Sequence, residues 1–214
     1  MSVQAVMESA IDGIITLRNE PVQARSTARL AALLDGAASI IDQIGYERLT
    51  TAMVAERAGA SIGTVYRYFP DRIALLQALG ARNLERLLGS VSEEVSKPEH
   101  KDSVSAVNGA FSAIVDIYRS EPGFRSLRVG DVIDLRPAPT ERPFNSIVSD
   151  RIADSIIARF DIADSSELRF DFETAVEIAD GLTARAFARA PRGDEAFLSA
   201  ARSVIMALLS KRLS

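Results

Sequence analysis

Between Ser61 and Phe69 the chain reads SIGTVYRYF, which sets the hydroxyls of Ser61, Thr64, Tyr66 and Tyr68 beside the guanidinium of Arg67. At helical spacing such groups do not break bonds. They donate hydrogen bonds to phosphate oxygens, and an arginine can also reach a guanine edge. Gly63 weakens a helix but keeps it thin, so that its backbone can approach a groove. Other chemistries are poorly supplied. The chain has no cysteine and one histidine, His100, which removes disulfides, thiolate nucleophiles and Cys- or His-rich metal centres. No Ser-His-Asp set, phosphate loop or dinucleotide fingerprint appears, and the paired carboxylates Glu93 and Glu94 fall on a polar helix end. The expectation is a protein that is not an enzyme and uses no cofactor or metal.

The elements that must position this run read as helices. From Leu30 the set Leu33, Leu34, Ala37, Ala38, Ile41 and Ile44 advances by threes and fours, and Gly45 stops it. Thr50 or Thr51 offers an N-cap for a short helix through Ala58, Gly59 supplies a left-handed turn residue, and Ser61 caps the next helix, which Pro70 ends near Phe69. Val65 and Phe69 can then enter a small core with Leu34, Ala55 and Ala58. Ser61, Thr64, Arg67 and Tyr68 share the other side, while Ile62 falls at the edge of the core by spacing. Asp71 is a cap for a long helix running to Lys97-Pro98.

The run AERAGASIGTVYRYFPDRIALL resembles the helix-turn-helix signature of the tetracycline-repressor (TetR) family. The matches are Ala55, Ala58, Gly59, Ser61, Gly63, Thr64, Val65, Tyr66, Tyr68 and Phe69, and the fit extends from about Arg25 to Leu79. The resemblance implies a sequence-specific DNA-binding regulator, most simply a dimeric repressor released from a palindromic double-stranded operator by a partly apolar small-molecule effector. Carried over by position, it implies phosphate contacts from Thr51, Thr64 and Tyr66, and base-edge or phosphate contacts from Ile62, Gly63, Arg67 and Tyr68. Ser61 belongs to the same surface, and Arg72 would grip the DNA backbone. Two departures stand out: Ala52 lacks a polar or basic group, and Ile62 would meet a thymine methyl only if it leaves the core edge. Arg25 and Arg29 read either as a phosphate-binding arm or as solvated charges.

Beyond the motif, further helices are expected over Ser103 to Ser120, Gly123 to Val129, Phe144 to Phe160, Phe172 to Ala190 and Glu195 to Arg212. The fold class is all-α, with about nine helices: an extension (1–20), a three-helix DNA-binding domain (21–70) and a larger helical ligand-binding and dimerisation domain (71–214). Phe111, Ile114, Tyr118, Phe124, Leu127, Val132, Phe144, Ile147 and Val148 are candidates to line an effector cavity, or are ordinary core. Arg125, Arg128, Asp131, Asp134 and Arg136 could hold a polar ligand end, or pair locally. The last two helices carry many small residues among apolar ones, which suits a homodimeric four-helix bundle or an intramolecular pair. His100 reads as solvated in the loop KPEHKD, and DLRPAPTERP as an ordered loop.

Composition agrees with a packed regulator. An apolar fraction of 47% over 214 residues supports a buried core. The amino terminus lacks a basic signal-peptide start, and no apolar run approaches the roughly 20 residues of a membrane span; a cytoplasmic protein without a membrane partner is expected. Net charge is −4, yet between Pro21 and Arg72 six arginines face five acids while the remainder holds 19 basic and 24 acidic residues. The competing readings are a helical protein-interaction module or a non-catalytic small-molecule binder without an operator.

Overall fold

The computed structural model describes residues 20–127 and 143–213. Most of the expected extension, and the loop holding Arg128, Asp131, Val132, Asp134 and Arg136, lie outside them. Among the described residues the chain is all helical: α1 Glu20–Ile44, α2 Thr51–Arg57, α3 Ile62–Tyr68, α4 Arg72–Ser96, α5 Ser103–Ser120, α6 Phe144–Phe160, α7 Ser166–Arg189 and α8 Glu195–Leu209. Short 3-10 turns occupy Tyr46–Arg48 and Arg125–Leu127, so the last expected short helix is a single tight turn.

The chain divides into two compact units. The first holds the described residues within Met1–Asn83 and Pro122–Glu141. Its core gathers Leu33, Ala37 and Ile41 from α1, Val54 from α2, Val65 from α3, and Leu75, Leu76 and Leu79 from α4. This division falls later than the expected boundary at residue 70, because the first turns of α4 bury three leucines in the same core. Arg82 also belongs here, reaching Asp35 at 2.7 Å.

Local signals set the boundaries in this unit. Gly45 takes φ +83 after α1, and Gly59 takes φ +57 between α2 and α3, a region that costs other residues strain. Thr50 accepts a hydrogen bond from the Met53 amide, Ser61 from the Thr64 amide and Asp71 from the Ala74 amide, each satisfying an amide that the helix start leaves without a partner. Gly123, at φ +71, turns the chain onto α1. A Cβ there would lie 2.9 Å from the Ala38 carbonyl oxygen, and its amide donates to Asp42 at 3.2 Å.

The second unit comprises Leu84–Glu121 and the described residues within Arg142–Ser214. Phe172, Ile156, Leu209 and Val91 are among its fully buried side chains, and burying a residue of that size contributes about 1.5–3 kcal/mol. α7 packs along both α6 and α8. α7 begins at Ser166, earlier than the expected Phe172, because Ser165 accepts from the Leu168 amide and Leu168 starts the buried stripe. α8 ends at Leu209, short of the expected Arg212.

Contacts distant in sequence finish the helices of this unit. Arg159 of α6 donates to the carbonyl of Val95 in the last turn of α4, where helix carbonyls lack internal partners, and to those of Lys97 and His100 just beyond it. His100 is enclosed rather than solvated: its Nδ1 lies 2.9 Å from Ser105 Oγ and its Nε2 3.0 Å from Glu94 Oε1. Gly109 makes room for the ring, since a Cβ there would stand 2.6 Å from it.

Candidate nucleic-acid interface

α3 is anchored by one face and open on the other. Val65 and Phe69 are buried in the core, the Ser61 cap fixes the first turn, and the Phe69 amide closes on the Val65 carbonyl at 2.9 Å. On the open face Tyr66 is 52% and Ile62 43% exposed, and Gly63 and Arg67 are exposed beside them. Ile62 therefore stands outside the core, although spacing alone put it at the edge. A Cβ at Gly63 would meet nothing nearer than Ser61 Oγ at 3.8 Å. Internal packing therefore does not require a glycine there.

The polar groups of this surface are already arranged. Thr51, at the start of α2, donates from Oγ1 to the Tyr66 hydroxyl at 3.3 Å, and the Ser61 and Thr64 hydroxyls lie 2.9 Å apart. Two helices thus present Thr51 and Tyr66 together. Exposed Ala52 adds no charge.

Tyr68 and Arg72 are placed differently from the rest. Tyr68 is half-buried against the core, with its hydroxyl 3.0 Å from Ser26 Oγ on α1, and the Arg67 guanidinium stacks 5.3 Å from its ring centre. Its backbone position on α3 follows the helical spacing, but its long side chain turns toward α1. Arg72 donates to the Tyr46 carbonyl at 2.9 Å and is partly buried. Arg29 reaches the Ala58 carbonyl at 3.5 Å, and Arg25 is exposed. Sequence reading passed over Arg48, which is exposed in the 3-10 turn before α2. The signal for it was the brief interval between Gly45 and buried Leu49, too short for a solvated loop.

The residues expected around an effector cavity separate into two groups. Phe111, Ile114 and Tyr118 on α5 and Phe144, Ile147 and Val148 on α6 lie in the second unit; Phe111, Tyr118 and Val148 are buried and the others half-buried. Phe124 and Leu127 lie in the first unit, where Leu127 packs in the core with Leu33. Gly123 accounts for this by turning the segment onto α1. Tyr118 stacks on Phe187, with ring centres 5.1 Å apart, and donates to Asp180 at 3.2 Å. Among the described residues no group of three or more His, Cys, Asp and Glu side chains could hold a metal ion, and no helix is long and apolar enough to cross a membrane.

A short helix exposing Ile62, Gly63, Tyr66 and Arg67, held across a glycine turn from a capped partner helix, is the architecture of a helix-turn-helix DNA-binding regulator. Residues 33–79 match the family described as "Bacterial regulatory proteins, tetR family", and residues 101–213 match "Tetracyclin repressor-like, C-terminal domain". The chain belongs to the tetR family of bacterial regulatory proteins.

Similar proteins agree with that assignment. A TetR-family transcriptional regulator from Streptomyces coelicolor superposes with a TM-score of 0.73 at 32% identity, over 88% of this chain and 99% of that one. The HTH-type transcriptional repressor KstR of Rhodococcus jostii is 41% identical over 59 residues, 28% of each chain. The nucleoid occlusion factor SlmA of Actinobacillus pleuropneumoniae is 29% identical over 89 residues, 42% of this chain and 43% of that protein. The matches thus span less than half the length of these curated relatives.

Proposed function

We propose that this chain is a dimeric repressor that binds a palindromic operator through α3 and leaves it when a small molecule enters the helical body. The observation that carries the reading is the open face of α3, where Ile62, Tyr66 and Arg67 are exposed beside Gly63. Gly63 stands in the first turn of α3, and among the described residues nothing comes nearer to the space it leaves than the Ser61 hydroxyl at 3.8 Å. A duplex brought against that face gives the missing side chain a reason. Ile62, Tyr66 and Arg67 then meet base edges or phosphates, Thr51 and Thr64 position the backbone, and Tyr68 and Arg72 act from behind by fixing α3 and the turn before α2.

The dimer is assigned to α7 and α8. Phe170 is 67% exposed, Ile178 stands exposed further along α7, and Ala188, Ala200 and Ala207 are exposed small residues on the two helices. An apolar surface of this kind favours burial against a second copy. For the effector, a supporting feature is Thr183 of α7, whose buried hydroxyl has no hydrogen-bond partner among the described residues. An unmet buried hydroxyl costs about 1–3 kcal/mol, and a bound polar group would remove that cost. Release follows if the effector favours a body conformation in which two reading heads no longer match the groove spacing.

Selection of bound DNA from a random pool supplies the test, since a dimer predicts a palindrome with half-sites one helical repeat apart. On that DNA the double variant Tyr66→Ala/Arg67→Ala is expected to lose about ten- to a hundred-fold in affinity at fixed salt, with helical content retained. Undiminished binding by the double variant would sink the assignment of α3 as the reader.

A further inference from the structure

Among its described residues the first unit leaves three large apolar side chains exposed, Ile62, Tyr66 and Ile73, and the first two stand one turn apart on α3. Ile62 belongs neither to the buried core of that unit nor to the side chains packed against it, whereas Val65, three residues on, is fully buried. The helix surface beside Ile62 is bare, since a Cβ at Gly63 would have no neighbour nearer than Ser61 Oγ at 3.8 Å. Two adjacent apolar side chains next to an uncovered backbone are not scattered surface residues. They form a patch that asks for a partner.

The polar groups around the patch are already engaged. The Tyr66 hydroxyl accepts from Thr51 at 3.3 Å, the Ser61 and Thr64 hydroxyls lie 2.9 Å apart, and the Arg67 guanidinium lies 5.3 Å from the Tyr68 ring centre. What α3 offers at Ile62 and Gly63 is therefore hydrocarbon. In the major groove adenine, guanine and cytosine present hydrogen-bond donors and acceptors, and thymine alone adds a methyl group. Isoleucine pressed on a polar base edge strips water from it without replacing the lost hydrogen bond. Pressed on a thymine methyl, it buries apolar surface against apolar surface.

We propose that Ile62 selects a thymine in each half-site of the operator by its C5-methyl group, seated against the Ile62 side chain and the bare backbone of Gly63. The proposal rests on α3 as the reader and adds the base that is read there.

The test uses the full-length protein and the duplex recovered by selection, with each thymine replaced in turn by uracil, which removes the methyl and keeps the hydrogen-bonding groups of the base and every phosphate. At one thymine position per half-site, uracil is expected to weaken binding about four-fold, and roughly fifteen-fold when both half-sites are changed. In Ile62→Ala, measured at low salt so that the weaker complex still forms, thymine and uracil should bind equally at that position. Ile62 is exposed and outside the core, so this variant keeps its fold. Gly63→Ala, which meets no clash within the protein, fills the seat of the methyl and should narrow the same ratio. Tolerance of uracil at every position, with binding still lost in Tyr66→Ala/Arg67→Ala, overturns the methyl contact and leaves the reader standing. A thymine preference unchanged in either variant overturns it as well, and failure to select any DNA overturns it together with the operator reading.

Discussion

Both units cap helices locally, but they differ in what else closes a helix end. In the first unit each boundary around α2 and α3 is written within a few residues: Thr50, Ser61 and Asp71 cap their own helices, and Gly45 and Gly59 turn the chain with positive φ. In the second unit Asp102, Ser165 and Asp194 also cap their own helices, but α4 ends against Arg159, some sixty residues away, and Ser103 at the start of α5 donates to the Leu213 carbonyl at 2.9 Å. A reading head has to present one short helix in one orientation, and local caps fix that. The body adds to its caps contacts that form only when the bundle assembles.

The largest test of this contrast is Arg159→Ala. It leaves the carbonyls of Val95, Lys97 and His100, at and just after the end of α4, without their charged donor, and a loss of about 2–3 kcal/mol is expected by denaturant unfolding. A loss no greater than that of an exposed arginine would break the claim that remote contacts close the body. Ser61→Ala comes next, with an expected cost of about 1 kcal/mol. Amide exchange should show that cost in α3 and leave α7 and α8 unaffected; protection lost equally in both units would refute the local account.

The smallest effect concerns Glu94. Its carboxyl is held below the ordinary value of 4.5 by the hydrogen bond from Lys97, with burial opposing and His100 assisting. A carboxylate whose folded value is depressed contributes stability that is present above its unfolded value and lost as pH falls through the folded one. Glu94→Gln is therefore expected to lower Tm slightly at neutral pH, with the difference shrinking below about pH 4.5 and vanishing in acid. A difference that grew on acidification would contradict the assigned sign.

This contrast also explains what could be read in advance. The caps and glycines around α2 and α3 are nearest-neighbour chemistry, so the core face of Val65 and Phe69 and the helix ends at Ile44, Arg57 and Tyr68 were legible to within a residue or so. The bounds of α5 and α6 were legible too, because Pro98 and Pro122 flank α5 and Pro143 precedes α6. The start of α7 was not, because Glu167, Arg169 and Asp171 dilute the apolar period that Leu168 begins. The orientations of Tyr68 and Arg72 also escaped, since Ser26 and the Tyr46 carbonyl meet them only in the folded chain. His100 was misjudged for a related reason. Its neighbours in sequence are charged, but the space it fills is cut by Gly109 on the next helix.

That enclosure makes the protein its own spectroscopic label. The chain has a single imidazole, so the ring resonances of His100 form a one-site signal needing no isotope scheme or added tag. Glu94 holds the ring from α4 and Ser105 from α5. Its line shape therefore reports on how α4 meets α5, and any ligand or DNA that disturbs that junction writes itself into one peak.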